Sequence, residues 1–155
     1  MRGKQAPKRR IAPDRKYNNT QVTKFINYVM LNGKKTVAEK IVYGAFDIIE
    51  EKTGTPGFDI WTKAINNLSP ALEVRARRVG GANYQVPVEV RPDRRFTLAC
   101  RWLLAAARAR KGAAMDKRLA AEIMAAADGE GEAMRKKEDV QRMAESNRAF
   151  AHFAR

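Results

Sequence analysis

The sequence predicts a mainly α protein, a single bundle of about six helices from which one two-stranded β hairpin protrudes. Apolar residues recur at helical spacing along most of the chain, and short connections rich in glycine, proline or threonine separate the segments. Only residues 72–90 alternate with a period of two. We therefore divide the chain into a basic N-terminal arm at 1–17 and a helical domain at 18–155, with the hairpin at 72–90.

The N-terminal arm carries seven cations and one acid, Asp14, and is interrupted by Pro7 and Pro13. A segment of this composition does not bury enough apolar surface to fold alone. We interpret it as an arm that is disordered without nucleic acid and becomes ordered on a nucleic-acid backbone. A solvated tail that only aids solubility is the alternative.

Three helices should precede the hairpin. The first follows the capping residues Asn18-Asn19-Thr20 and ends at Asn32-Gly33. The second should run from near Lys35 to about Lys52, and the third ends at Ser69-Pro70. The residues predicted to face the core are Val22, Phe25, Ile26, Val29 and Met30 in the first helix, Val37, Ile41, Ala45, Ile48 and Ile49 in the second, and Trp61, Ala64, Ile65 and Leu68 in the third.

The hairpin is predicted from two alternating runs, and Gly80-Gly81-Ala82-Asn83 between them should form the turn. A lone two-stranded ribbon is marginally stable in water. We therefore expect the helical body to hold the hairpin and an anionic partner to lie against its arginines.

Three further helices are predicted after the hairpin. The fourth opens at Arg91-Pro92-Asp93 and extends to about Lys111, the fifth spans about 115–127, and the sixth follows Gly131. The residues predicted to face inward are Phe96, Ala99, Trp102, Leu103, Ala106 and Ala107 in the fourth, Leu119, Ile123 and Ala126 in the fifth, and Ala133, Val140, Met143, Ala144 and Asn147 in the sixth.

The charge balance points to polyanions. The chain has 31 Lys and Arg against 17 Asp and Glu, a net charge of +14. Such a balance favours nucleic acid or an anionic membrane surface. No apolar run approaches the ~20 residues that span a bilayer, and no signal-peptide pattern is present. The one cysteine, Cys100, excludes an internal disulfide framework and fits a reducing compartment.

The sequence offers no catalytic, metal or cofactor site. The sole histidine, His152, lies between Phe150 and Phe153, where a packing or backbone-contacting role is expected. Cys100 borders a buried stripe and is expected to act as a small hydrophobe. No cluster has metal-ligand spacing, and no glycine pattern fits a nucleotide-binding loop. We therefore predict a protein that is not an enzyme and needs no cofactor.

The basic residues cluster by position. Lys34-Lys35 stand at the start of a helix, where free N–H groups favour phosphate. Further cations lie on the hairpin, at its base and along the last helix. The ring of Tyr84 could stack on an unpaired base or pack on the body. A DNA-architectural protein remains the main rival, although the Gly-Gly-Ala-Asn tip lacks an apolar wedge. A basic membrane-surface protein ranks third, and an enzyme ranks last.

Four long motifs resemble ribosomal protein seven of the bacterial small subunit. They are RRVGGANYQVPVEV from Arg77 to Val90, RKKEDVQRMAESNRAFAHF from Arg135 to Phe153, Asn32 to Lys35 with Ala38-Glu39, and Arg101 to Leu104 with Ala106 to Arg108. Order and spacing agree along essentially the whole chain. The chain departs from the family pattern in its displaced Lys8-Arg9-Arg10 run, in Arg15, and in Gln141 and Ser146.

The resemblance implies a helical domain with an extended hairpin that binds small-subunit rRNA as a primary binder. It further implies docking on junctions of the 3′ major domain, nucleation of subunit-head assembly, and a place at the subunit interface near the exit-site tRNA and the mRNA path. The implied protein neighbours are the ninth and eleventh small-subunit families. The implied location is the small ribosomal subunit in the cytoplasm, away from membranes.

Position in the motifs and in the basic clusters assigns two sets of residues. The set expected to bind rRNA is Arg2, Lys4, Lys8, Arg9, Arg10, Arg15, Lys16, Lys34, Lys35, Arg75, Arg77, Arg78, Arg91, Arg94, Arg95, Arg101, Arg108, Lys111, Arg118, Lys136 and Lys137. The set expected to face tRNA or a partner protein is Gly80, Gly81, Ala82, Asn83, Tyr84, Arg142, Asn147 and Arg148.

Overall fold

The computed structural model describes residues 3, 6–7 and 9–154. Its helices are α1 Thr20–Val29, α2 Lys35–Thr53, α3 Gly57–Leu68, α4 Pro92–Ala109, α5 Met115–Ala127 and α6 Glu132–Ser146, followed by a 3₁₀ helix at Arg148–Ala154. Strands β1 Leu72–Val79 and β2 Ala82–Glu89 form the hairpin. The predicted fold class is confirmed. No described helix is long and apolar enough to cross a bilayer.

Capping and turn residues explain most helix ends. The side chain of Asn19 accepts a hydrogen bond from the Gln21 N–H at 2.7 Å, as the capping pattern predicts. Helix α2 ends at Gly54, whose φ of +69° is a left-handed conformation that glycine adopts at little cost. Pro92 occupies the first turn of α4, where a missing N–H is tolerated.

The hairpin turn is tighter than the sequence suggested. Leu72 pairs with Glu89 and Val79 pairs with Ala82, so only Gly80 and Gly81 lie between the strands. Both glycines have positive φ, +58° and +91°, as a two-residue hairpin turn requires. The predicted four-residue turn is therefore wrong, and Ala82 and Asn83 belong to β2.

The centre of the core is an aromatic cluster around Trp61. Its indole ring lies 5.4 Å from Phe25, 5.9 Å from Phe46 and from Phe58, and 6.3 Å from Phe96. These rings come from α1, α2, α3 and α4, so one cluster joins the first four helices. Such ring pairs add stabilisation beyond that of the buried area.

Two predicted inward faces need correction. In α2 the side chain of Val37 is 49% exposed, whereas Ala38, Val42 and Phe46 are buried. The buried residues of α2 follow helical spacing from Ala38 through Val42 to Phe46, so the stripe begins one residue after the predicted Val37. In α6 Ala133 and Ala144 are buried, but Met143 is 49% exposed.

A buried acid connects the last three helices. Glu122 of α5 is 0% exposed. Its Oε2 accepts a hydrogen bond from Arg110 Nε at 2.8 Å and forms an ion pair with Arg110 Nη2 at 2.7 Å. Its Oε1 accepts a hydrogen bond from the Ala133 N–H at 3.1 Å. The carboxylate thus satisfies a free N–H in the first turn of α6 while Arg110 compensates its charge.

Candidate nucleic-acid interface

Three arginines gather where the hairpin meets α4. Glu73 of β1 is 6% exposed and pairs with two of them. Arg75 contacts its Oε1 through Nε at 2.6 Å and Nη2 at 2.5 Å, and Arg94 contacts its Oε2 through Nε at 2.6 Å. The third, Arg95, donates from Nε to the Val90 carbonyl at 2.9 Å. We call Glu73, Arg75, Arg94 and Arg95 the hairpin-base cluster.

The local backbone explains this gathering. The Val90 N–H donates to the Ala71 carbonyl at 3.0 Å, which closes the base of the hairpin just before α4 begins. The N–H groups of Arg94 and Arg95 then donate to the Arg91 carbonyl. Only Val90 and Arg91 separate β2 from α4, so Arg94 in the first turn of the helix reaches Glu73 of β1.

The N-terminal arm contributes to a second basic region. Arg9, Arg10, Arg15 and Lys35 line one concavity of about 630 Å³. Their side chains are exposed. The fold thus brings the arm and the start of α2 together, although they lie some 20 residues apart in the chain. Arg2, Lys4 and Lys8, also predicted to bind rRNA, lie outside the described residues.

Asp14 anchors the end of the arm. Its carboxylate is 7% exposed and accepts hydrogen bonds from the N–H groups of Lys16 and Tyr17, each at 3.0 Å. The Tyr43 hydroxyl donates to its other oxygen at 2.5 Å. Burial, together with this bond, raises the pKa of Tyr43 above its ordinary value. Lys16 forms an ion pair with Asp47 at 2.7 Å, so its ammonium group already has a protein partner.

Lys34 and Lys35 are exposed at the start of α2, as predicted. Nearby, Arg108 of α4 reaches the Val29 carbonyl at the end of α1, at 3.4 Å. Arg118 donates to the Arg110 carbonyl at 2.6 Å, so it also holds the end of α4. Arg101 and Lys111 are exposed.

Two of the α6 cations that were predicted to bind RNA or a partner already have contacts within the body or on their own helix. Lys137 donates from Nζ to the Asn67 carbonyl near the end of α3, at 2.5 Å. Arg142 lies 3.7 Å from Asp139 in an exposed pair. Lys136 and Arg148 are exposed. The Asn147 side chain caps α6 by donating to the Met143 carbonyl at 2.8 Å.

The Tyr84 ring packs on the C-terminal 3₁₀ helix. Its ring lies 5.1 Å from Phe150 and 5.2 Å from Phe153. Arg77, on the strand opposite Tyr84, donates to the Phe153 carbonyl at 2.6 Å. Of the two alternatives for this ring, packing on the protein is therefore the one observed, and the hairpin tip at 80–83 stays exposed. The sequence did not predict the 3₁₀ helix or its contact with the hairpin. The three-residue spacing of Phe150 and Phe153, which places both rings on one side of a 3₁₀ helix, was the pattern that could have indicated it.

The remaining candidate residues behave as expected. The His152 ring nitrogen Nδ1 contacts the Ala149 carbonyl at 2.9 Å, so it is a backbone-contacting residue. Cys100 is buried, and its burial raises the pKa of the thiol. Among the described residues, no group of three or more His, Cys, Asp or Glu side chains could hold a metal ion.

These features define a basic, mainly helical protein whose cations lie on an arm, on a hairpin and at helix ends, as in proteins that bind nucleic acid. Comparison with known proteins gives the family. The chain belongs to the family described as ribosomal protein S7p/S5e, whose model matches residues 1–148. The resemblance inferred from the motifs is thereby confirmed, as is the prediction that the protein is not an enzyme.

Curated relatives agree along nearly the whole chain. It is 57% identical to small ribosomal subunit protein uS7 of Cupriavidus metallidurans over 152 residues, which are 98% of this chain and 97% of the relative. The proteins of the same name from Ralstonia pickettii and Burkholderia mallei give the same identity and coverage.

Proposed function

We propose that this protein is a structural component of the cytoplasmic small ribosomal subunit and binds its rRNA. The supporting observation is the hairpin-base cluster on a chain that matches curated uS7 proteins at 57% identity over 98% of its length. Arginine forks suit phosphate oxygens, and structured RNA is recognised largely by shape and backbone. The protein supplies positioned charge and no chemistry of its own.

The rRNA site is the 3′ major domain, where docking on helical junctions would nucleate assembly of the subunit head. The hairpin-base cluster and the arm concavity supply the principal contacts. Arg78, Arg91, Arg101, Lys111 and Lys136 are exposed and add further phosphate contacts. The side chains of Arg108, Arg118 and Lys137 donate hydrogen bonds to carbonyls at helix ends. Only their remaining N–H donors are therefore available to phosphate.

The exposed hairpin tip and the C-terminal end of α6 would face the exit-site tRNA, the mRNA path and neighbouring proteins of the ninth and eleventh families. Gly80 and Gly81 are exposed, and open space lies where a side chain would begin, so the backbone at the tip can approach a ligand closely. Tyr84 keeps its contact with Phe150 and Phe153 in this arrangement and supports the tip without stacking on a base.

Competition binding tests the proposed function. A transcript of the 3′ major domain should stay bound when unrelated structured RNA and duplex DNA are in large excess. Equal displacement by all three nucleic acids would contradict it, because only sequence-independent electrostatic attraction would then remain.

We also propose that the N-terminal arm at 1–17 is fixed in place only on RNA, and that in the free protein residues 9–13 leave their place beside α2 more readily than the Asp14 contacts open. In the free protein, trypsin should cleave after Arg9 and Arg10 at least tenfold faster than after Arg15 and Lys16, because the Asp14 contacts must open before the latter bonds become accessible. The rates are read from peptide masses over time. Asp14→Asn should raise cleavage after Arg15 and Lys16 alone. Equally slow cleavage at all four sites in the unbound wild-type chain would contradict the proposal.

A further inference from the structure

Glu73 stands out as a buried acid on a basic surface. It is 6% exposed in a chain of net charge +14. Burying a carboxylate carries a desolvation cost, and an acid within an RNA-binding surface also repels phosphate. Both effects are unfavourable, and the contacts of the Glu73 carboxylate indicate what offsets them.

The carboxylate holds two guanidinium groups from different elements. Arg75 follows it on β1 and binds one oxygen, while Arg94 in the first turn of α4 binds the other. Both arginine side chains remain about half exposed, at 54% and 44%. A guanidinium group has more N–H donors than these contacts use, so each arginine keeps donors for a ligand.

Fixing the guanidinium groups in advance should favour recognition. A free arginine loses considerable side-chain entropy when it is ordered against a phosphate, and a group already held loses less. Supporting contacts of this kind turn a diffuse charge into a site with defined geometry. Arg95, held by the Val90 carbonyl, lies next to Arg94 in the chain and extends the same ordered region.

We propose that Glu73 is a positioning residue for RNA recognition, which orients Arg75 and Arg94 as a paired site for backbone phosphate of the cognate rRNA. The inference rests on the proposed rRNA-binding function. The negative charge of Glu73 opposes binding to any nucleic acid. Its positioning of the two arginines nevertheless makes it a determinant of the preference for the folded rRNA over other nucleic acids.

The sign of the effect of Glu73→Gln separates positioning from general electrostatics. Removing a negative charge should strengthen binding to any polyanion. If Glu73 positions the arginines, affinity for the 3′ major domain transcript instead falls about tenfold. Both guanidinium groups then lose their charged partner, and a glutamine offers only one acceptor oxygen to the two of them. Affinity for random duplex DNA should stay the same or rise.

Glu89→Gln is the matched control. Glu89 lies on the neighbouring strand and is exposed. Its replacement by glutamine removes the same charge as Glu73→Gln. Glu89→Gln should raise the affinity for the 3′ major domain transcript and the affinity for random duplex DNA by about twofold each, so their ratio stays unchanged. Stoichiometric titration gives the active fraction of each variant, so a loss of folded protein is separated from a loss of affinity. A folding defect alone would lower the active fraction and leave the affinity ratio of the remaining protein intact.

Arg75→Lys with Arg94→Lys provides a second variant that retains both positive charges. It should lose rRNA preference with little change in salt dependence, because an ammonium group lacks the planar fork. If Glu73→Gln kept the wild-type ratio of rRNA affinity to DNA affinity, the inference would be overturned, whatever the lysine variant shows. If wild-type protein itself shows no preference for the ribosomal transcript, the proposed function fails instead, so the two failures are distinguishable.

Discussion

Replacing Lys34, Lys35, Arg78 and Arg91 together by glutamine is expected to weaken rRNA binding by about 100-fold at about 0.15 M salt. All four side chains are exposed, and within the described residues none forms an ion pair or side-chain hydrogen bond. They lie at the start of α2, on β1 and just before α4. If each neutralises one phosphate, the slope of log affinity against log salt should fall by about three to four.

Four lysines outside the proposed interface provide the control for net charge. Lys40, Lys52, Lys63 and Lys117 are also exposed and lie outside the proposed interface. Replacing them by glutamine removes the same charge but should cost less than about fivefold in affinity, since only long-range attraction changes. Filter binding at several salt concentrations measures both variants. Equal losses in the two sets would show that charge total, and not charge position, determines binding.

Arg110→Ala is expected to lower the free energy of unfolding by about 3 kcal/mol, because it leaves the Glu122 carboxylate buried without its compensating charge. Arg110 is itself 41% exposed, so solvent limits the loss. Urea unfolding followed by circular dichroism should show a lower midpoint with an unchanged slope. Adding Glu122→Gln to this variant should recover part of the stability, because the buried charge is then removed.

Arg135→Ala is the control for that measurement. Arg135 pairs with Glu132 at 2.8 Å, but both side chains are largely exposed, at 74% and 64%. Such a pair contributes about 0.5 kcal/mol or less. If Arg110→Ala were as mild as Arg135→Ala, the Glu122 pair would not be the connection between α4, α5 and α6 that its geometry indicates.

Local chemistry made the secondary structure predictable. Asn19 caps α1, Gly54 ends α2 and Pro92 opens α4, and each acts through its own backbone and nearest neighbours. The hairpin followed from alternation and the Gly80-Gly81 pair. Residue type and spacing carry these signals, so no tertiary contact was needed to identify them.

Long-range contacts decided what the sequence did not show. Glu73 looked like an ordinary strand acid because its partner Arg94 is 21 residues away. Arg110 was not distinguished from surface cations, since only the fold brings Glu122 to it. The docking of Tyr84 on Phe153 likewise joins distant segments. Charge clustering therefore predicted the class of surface, while the assignment of each cation to RNA or to the protein body required the structure.

The most direct test of the account is competition binding of the full chain to a transcript of the 3′ major domain over a series of salt concentrations. Unrelated structured RNA and random duplex DNA of equal length serve as competitors. We expect the ribosomal transcript to stay bound against at least a 100-fold excess of either, with a steep salt dependence. Displacement mole for mole would contradict specific recognition of the folded rRNA and would leave a generic polyanion binder.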